Sequence, residues 1–322
     1  MNEASMEQAG NWQCASVSIA YRLGEVALAS WKLAALVRKD HFTALTEDKG
    51  LENLPLEGLA GNTNALFIPC HPVSAPPPTI ITRGDTLIYT PRVFKNYFVD
   101  FGGLGDFHAY LAQFSSKSRS TLLRKVRNFK KENGEGAVFR EFAAGHDFDE
   151  FFRLAGPISA ESYQERLLDA GLPRSPDFVA GVKAQAAREG ALAWLLLFRG
   201  KPVSYVLSLL ENEVATYNYV GYRADAQHLS PGTVLQYFIL ESLFDRKRVR
   251  IFDFTEGEGE HKRFFSTGSQ LCAKSYVFRR TLLNRLRILL HRTLGVISTV
   301  ITSVLENLGM KRYIRSLVRR IA

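Results

Sequence analysis

The chain has 322 residues, 46% hydrophobic and 23% charged, the composition of a soluble globular protein long enough for two domains or for one domain with extensions. Ten Lys or Arg residues and one acidic residue lie between Arg279 and Ala322, so this tail carries the whole net charge of +9. Because the rest of the chain is neutral, the high isoelectric point is excluded as an argument that the globular part binds nucleic acid.

The three cysteines, Cys14, Cys70 and Cys272, are odd in number and have no metal-ligand spacing. This excludes a simple disulfide framework and predicts no metal site, and each cysteine is expected to be a small buried residue. The N-terminus has no early basic residues followed by a long apolar run, so we expect no secretory signal. The longest charge-free part of the tail, residues 293–305, is shorter than the ~20 residues of a spanning helix. We therefore expect a cytoplasmic protein.

The N-terminal part of the chain predicts a helix over residues 17–37, because apolar residues recur there at helical spacing. A short apolar run follows at residues 65–70. The proline-rich segment 71–78 is expected to be a connector, because proline cannot sit inside a helix or a sheet. We place a domain boundary near residue 85.

The next segment predicts strands at residues 87–89 and 97–101 and a helix over residues 118–133. Arg124, Arg127 and Lys131 recur at i, i+3 and i+7, which places them on one face of that helix. Two interpretations are open for this face. It is either an ordinary solvated surface or a docking strip for an anionic acceptor substrate.

Short elements then alternate along the chain. We expect a strand over 137–142, a helix over 147–154, a helix over 160–169 capped by Ser159, and a helix that starts at Ser175 and ends near Gly190. Strands in hairpin order and a last strand follow, which predicts a mixed sheet flanked by helices. These strands cover residues 191–198, 203–210, 214–222, 249–254 and 273–279.

A strand-to-helix junction lies at residues 214–244. Ser230 is a preferred helix N-cap, Pro231 suits the first helical position, and Gly232 lets a ligand approach the backbone closely. The N–H groups and the dipole of such a helix start favour phosphate. The alternative is an ordinary helix cap without a ligand.

The stretch from Val214 to Phe265 resembles the GNAT superfamily of acyltransferases and, more narrowly, its FemAB-like branch of cell-envelope and exopolysaccharide loci. The resemblance rests on a strand that ends YVGY, a PGT helix start and the sequence FDFTEGEGEHKRFF. In that branch a DF pair, a glycine and a lysine recur at the spacing of Asp253-Phe254, Gly257 and Lys262. The resemblance to this family covers roughly residues 118–265. The phosphate loop departs from the usual GNAT pattern because it has one glycine.

The resemblance implies an α+β fold, with a GNAT-type mixed and mostly antiparallel sheet flanked by helices. It implies a reduced N-terminal lobe over residues 1–85 and an acyltransferase domain over residues 86–278. A basic amphipathic helical tail would form residues 279–322. In the whole chain no internal repeat is visible.

The donor implied by the resemblance is acetyl-CoA or another acyl-CoA. The strand edge at Val220, Gly221 and Tyr222 would pair with the pantetheine arm, as in strand addition. The helix start would take the pyrophosphate through Ser230, Gly232 and Thr233. Acyl transfer from a thioester to an amine needs oxyanion stabilisation and proton transfer but no covalent nucleophile.

Three residues are candidates for catalysis. Strand alternation places Tyr217 and Tyr219 on one face, and Tyr219 is the candidate general acid, with an ordinary core residue as the alternative. Asp253 is a candidate general base or amine anchor, with a cap on backbone N–H groups as the alternative. Lys262 is a candidate phosphate contact, with an exposed charged run as the alternative. We expect His261 to serve in packing or contact.

The predicted function is N-acyl transfer from acyl-CoA to an amine of a sugar or of a lipid-linked envelope or exopolysaccharide precursor. One rival is an aminoacyl-tRNA donor held by the basic strip of residues 117–131, whose binding would fall steeply with salt. Another is a non-catalytic binding module with a degenerate fold. The basic tail predicts a peripheral association with an anionic membrane surface, or packing on the protein itself or on a partner.

Overall fold

The computed structural model describes residues 12–307, except for gaps at 24–25, 45–50, 52–53, 57–58, 60–62, 162–170 and 247. The strands are β1 (Trp12–Leu23), β2 (Val26–Arg38), β3 (Ala65–Pro72), β4 (Ile80–Arg83), β5 (Thr86–Asp100), β6 (Phe139–Phe142), β7 (Ala191–Phe198), β8 (Lys201–Glu211), β9 (Val214–Tyr222), β10 (Ile251–Glu256) and β11 (Gly268–Arg279). The α-helices are α1 (Phe107–Ala112), α2 (Ser116–Asn133), α3 (Phe148–Glu161), α4 (Pro176–Ala186), α5 (Pro231–Asp245), α6 (Glu260–Phe265) and α7 (Leu282–Asn307).

Among the described residues, the first of two compact units contains those up to Phe94 and those from Gln270 to Asn307. Its strand order is β1-β2-β3-β11-β5, and β4 pairs with β5. Strands β1 and β2 form a long antiparallel hairpin. The expected helix over residues 17–37 is therefore wrong. Trp31, Leu33 and Ala35 are buried while Lys32 and Ala34 between them are exposed, and this period of two is that of a strand.

The second unit runs from Lys95 to Ser269. Its sheet has the order β5-β10-β9-β8-β7-β6, and β10 and β9 form its parallel pair. One core cluster joins one sheet face to α1, α2 and α5, and a second joins other sheet residues to α3 and α4. The expected mixed, mostly antiparallel sheet flanked by helices is confirmed.

Several local expectations need correction. Ser159 is not a helix N-cap but lies inside α3, where its hydroxyl accepts a hydrogen bond from the Leu172 N–H group. Most of the helix expected over residues 160–169 lies outside the described residues. Cys272 is buried and Cys70 is half-buried, but Cys14 is exposed. Its strand therefore presents this side chain to solvent.

A bulge in β9 changes which side chains share a face. Leu207 pairs with Tyr219 and the next β8 residue, Ser208, pairs with Tyr217, so Asn218 is one extra residue. The Asn218 side chain accepts a hydrogen bond from the Leu209 N–H group at 3.2 Å. As a result Tyr217 packs against the core cluster that includes α1, α2 and α5, and Tyr219 packs against the cluster that includes α3 and α4. The expectation that Tyr217 and Tyr219 share one face is wrong.

Candidate functional site

The site begins where β9 and β10 part. Their parallel pairing runs from Ile251 opposite Val214 to Asp253 opposite Thr216, and among the described residues it goes no further. Beyond Thr216, β9 continues to Tyr222 and stays paired with β8, with the bulge at Asn218 as the one break in register among the paired residues. One backbone edge of β9 thus faces away from β10 at the positions expected to meet the donor, Val220, Gly221 and Tyr222. Such an edge can pair with an extended ligand.

Eight residues separate the end of β9 from the start of α5, and six of them form a short 3₁₀ helix at Ala224–Leu229. The expectation that Ser230 caps this helix through its side chain is wrong, because its hydroxyl makes no cap hydrogen bond and its φ is 53°. Instead the Ser230 carbonyl accepts the N–H groups of Thr233 at 3.0 Å and Val234 at 3.1 Å. The left-handed backbone conformation of Ser230, and not its side chain, therefore leads the chain into α5.

Gly232 lies in the first turn of α5, directly after Pro231. A Cβ atom built on Gly232 would meet no atom within 4 Å. Proline has no N–H group, so Gly232 supplies the first N–H group of this helix. Open space above a helix N-terminus is what an incoming phosphate requires.

A cavity of about 530 Å³ opens beside this helix start. Helices α2, α5 and α6 supply its walls. Its lining residues are Lys117, Ser118, Thr121, Leu122, Lys125, Thr233, Glu260, His261, Phe264 and Phe265. Both the volume and the mixture of apolar walls with a few polar groups suit a small-molecule ligand.

The bases that line the cavity differ from those expected. Lys117 and Lys125 lie two turns apart on α2 and both line the cavity. Arg124, Arg127 and Lys131 are all in the described part of the chain, are exposed, and do not line it. Helix α2 therefore carries two separate sets of bases, one beside the start of α5 and one on its exposed face.

Asp253 and Lys262 hold the turn that leads from β10 into α6. The Asp253 Oδ1 atom accepts hydrogen bonds from Asn96 Nδ2 at 2.9 Å and from the Thr255 N–H group at 2.8 Å. Lys262 Nζ donates to the Glu256 carbonyl at 2.8 Å and to the Thr255 carbonyl at 3.3 Å. Thr255 has a φ of 61° and Gly257 one of 106°. These contacts stabilise a left-handed turn, and for Asp253 they are those of the backbone-cap alternative.

His261 is the residue of α6 that links this turn to the cavity. Its ring lines the cavity and lies 6.3 Å from the Tyr217 ring, centroid to centroid. Burial, with a smaller contribution from the Lys262 charge, lowers the pKa of His261. The imidazole is therefore neutral at pH 7 and able to accept a proton.

The two tyrosines of β9 have different surroundings. Tyr217 contacts Phe252, Phe254 and His261 on the cavity side, and burial raises its pKa. Tyr219 packs on Phe178 in the other core cluster, and burial raises its pKa too. The bulge at Asn218 causes this separation.

Glu260 was not expected at the site, Lys117 and Lys125 were expected only as part of the basic strip 117–131, and His261 was expected to serve in packing or contact, yet all four residues line the cavity. The spacing of Lys117, Thr121 and Lys125 at i, i+4 and i+8 places them on one face of the helix. Only the position of α5 shows that this face lines the cavity. Among the described residues no group of three or more His, Cys, Asp or Glu side chains is placed to hold a metal ion.

Comparison with known families bears directly on this site. Residues 116–263, somewhat less than half of the chain, match the family model described as an acetyltransferase (GNAT) domain. This segment is similar to GNAT acetyltransferases. The matched range includes the parting strands, the start of α5 and most of the cavity. The match supports the expectation that this protein is an acyltransferase. No curated protein matches the sequence.

Three solved structures align with most of this chain at low sequence identity. The C-terminal domain of a protein described as a lysylphosphatidylglycerol synthetase from Agrobacterium fabrum is 12% identical, with 90% of this chain and 91% of that chain covered and a TM-score of 0.47. L-PGS from Bacillus licheniformis is 12% identical, with 91% and 97% covered and a TM-score of 0.45. FemX is 11% identical, with 88% and 92% covered and a TM-score of 0.45.

Proposed function

We propose that the protein transfers an acyl group, with acetyl-CoA as the first candidate donor, to an amine by direct attack. The observation that carries this proposal is the cavity in which Thr233, at the start of α5, meets Lys117, Lys125 and His261. One cavity thus combines an anion-binding helix start, two cations and a proton acceptor. Those are the groups that a phosphate-bearing thioester and an attacking amine need.

The donor would bind in two parts. Its pantetheine arm would pair with the backbone of Val220, Gly221 and Tyr222, on the edge of β9 that parts from β10. Its pyrophosphate would lie over the start of α5, at Gly232 and Thr233, with Ser230 at the turn below. The lysines of the cavity would neutralise phosphate charge.

The reaction would form a C–N bond and break the C–S bond of the thioester. The attacking ammonium must first give up a proton, and His261 would accept it, since its imidazole lines the cavity and its pKa is lowered by burial. As the tetrahedral intermediate collapses to the amide, the nitrogen loses a second proton and the leaving thiolate takes up one, so that the products are the amide, the thiol and the one proton accepted by His261. Direct catalytic roles for Asp253, Lys262 and Tyr219 stay predictions, and the contacts of Asp253 and Lys262 favour positioning of the turn before α6.

The acceptor we propose is an amine on a sugar or on a lipid-linked precursor of the cell envelope or of an exopolysaccharide. Phosphate is common to such precursors, and the exposed face of α2 offers Arg124, Arg127 and Lys131 to an anion. We also propose a cytoplasmic location at the inner face of the membrane, because ten bases lie between Arg279 and Ala322.

Titration calorimetry with acetyl-CoA tests the donor site. We expect Gly232→Val to abolish binding, because its side chain would occupy the space beside the first N–H groups of α5, where a Cβ atom meets no protein atom within 4 Å. The double substitution Lys117→Gln/Lys125→Gln should weaken binding at least about tenfold, as loss of two charge-assisted contacts implies. The matched control, Arg124→Gln/Arg127→Gln on the same helix, should bind acetyl-CoA as wild type does. Equal affinity in all four proteins would remove this site from the proposal.

Two alternative functions, an aminoacyl-tRNA-dependent transferase and a non-catalytic binding module, predict different results in these binding experiments. With an aminoacyl-tRNA donor, acyl-CoA would not bind, tRNA would bind with a steep salt dependence, and Arg124→Gln/Arg127→Gln would weaken it. In a non-catalytic binding module, no donor would support transfer.

A further inference from the structure

Over residues 282–301, whose side chains the structure describes, helix α7 has two apolar faces, and only one of them packs on the described part of the protein. On the inner face Ile288 is 1% exposed, the Arg287 guanidinium lies 5.0 Å from the centre of the Trp31 ring, and His291 Nδ1 hydrogen-bonds the Tyr89 hydroxyl. These contacts belong to the unit that contains β1 and β2. They fix the rotation of the helix about its own axis.

The outer face of α7 is apolar and open to solvent. Nine large apolar side chains between Leu282 and Ile301 are 39% to 74% exposed. Leu286, Leu289, Leu290, Ile297 and Val300 follow one another at helical spacing and define this outer face. A contiguous exposed apolar surface of this length on one helix marks an interaction site.

Charge indicates what covers the outer face. Arg285 and Arg292 are exposed two turns apart along one border of it, and no acidic residue occurs from Arg279 to Leu305. A second copy of this helix would bring like charges together. An anionic lipid surface instead complements the arginines and takes up the leucines. None of the helices that the structure describes is long and apolar enough to cross a membrane.

We propose that the outer face of α7 is a preformed docking surface that inserts into the headgroup region of an anionic bilayer, with Arg285 and Arg292 on lipid phosphates. This inference stands apart from the acyl-transfer reaction. It assigns binding to a helix already seated on the protein by Ile288 and His291. It differs from attraction by the basic residues after position 307, which lie outside the described residues.

Co-sedimentation of the full chain with vesicles of phosphatidylglycerol and phosphatidylcholine tests the proposal. Leu286→Gln/Leu290→Gln should lower the partition coefficient at least about tenfold, since two inserted leucines are lost. Arg285→Gln/Arg292→Gln should lower it about fivefold per arginine, and this difference should shrink at high salt. All the substituted side chains are exposed, so the thermal midpoints should be unchanged.

Matched controls sit elsewhere on the surface. Leu123→Gln on α2 replaces another exposed leucine, and Arg188→Gln replaces another exposed arginine; both should bind vesicles as wild type does. If Leu286→Gln/Leu290→Gln binds vesicles as strongly as wild type does, the proposal is overturned. Membrane affinity would then belong to the rest of the basic tail. Absence of vesicle binding together with a dimer that the leucine variant abolishes would overturn it too, in favour of a second copy as occupant.

Discussion

The close approach of Gly221 to the Tyr205 ring explains why β9 has a glycine at this position, and it predicts the cost of adding a side chain there. A Cβ atom at this position would lie 2.5 Å from Tyr205 Cε1 and 3.0 Å from Tyr205 Cζ, about 1 Å inside the usual contact distance between carbon atoms. Tyr205 is fully buried and its ring packs on Phe151, so it cannot swing aside. We expect Gly221→Ala to lower the free energy of unfolding by about 1–3 kcal/mol, the usual cost of overpacking.

Urea unfolding of two further variants isolates the cause. Gly232→Ala is the matched control, because its Cβ meets nothing within 4 Å and alanine favours a helix; its stability should equal or exceed that of wild type. Tyr205→Leu removes the clashing ring atoms. Its combination with Gly221→Ala should therefore cost at least about 1 kcal/mol less than the two single costs together. A fully additive double variant, or a Gly221→Ala protein as stable as wild type, would refute the steric explanation.

Two buried polar groups carry the remaining predictions. Asp253→Ala should destabilise the protein by about 1–3 kcal/mol, because the buried Asn96 amide loses its acceptor; Asp253→Asn keeps an oxygen there and should cost less, and equal losses in the two variants would contradict this. Burial lowers the pKa of His71 to about 4. The unfolded chain then binds more protons than the folded protein between about pH 6.5 and pH 4, so stability falls as the pH falls through that range, by about 2–3 kcal/mol at pH 4.5. Urea unfolding at pH 7 and pH 4.5 should show that His71→Gln lacks this part of the loss while His146→Gln, at an exposed position, retains it.

The parts of the fold that could be predicted from the sequence are those with a single strong local signal. The helix expected over residues 118–133 is confirmed as α2, because its apolar stripe and the glycine after it agree. The hairpins of β7, β8 and β9 are confirmed because turn residues separate three β-rich runs. By contrast, residues 17–37 contain apolar residues at both periods, and only pairing of β1 with β2 decides between helix and strand.

Side-chain directions on β9 could not be predicted, because the bulged residue, Asn218, is not the glycine that marks some bulges. Alternation holds only while the register is regular, and the extra residue Asn218 reverses it. The same limit applies to α2. Its sequence shows bases on both sides of the apolar stripe, and the neighbouring start of α5 distinguishes Lys117 and Lys125 as the cavity bases.

The DF, glycine and lysine pattern has a physical explanation in the turn before α6. Asp253 fixes the Thr255 N–H group, Lys262 binds two carbonyls of the same turn, and Gly257 adopts a φ of 106° that side chains disfavour. These contacts and the Gly257 conformation hold the backbone path of the turn, and His261, the residue before Lys262, lines the cavity at the end of that path. The pattern therefore points to a site because it shapes the turn that presents His261 to the cavity. A sequence motif and the group that it positions need not be the same residues.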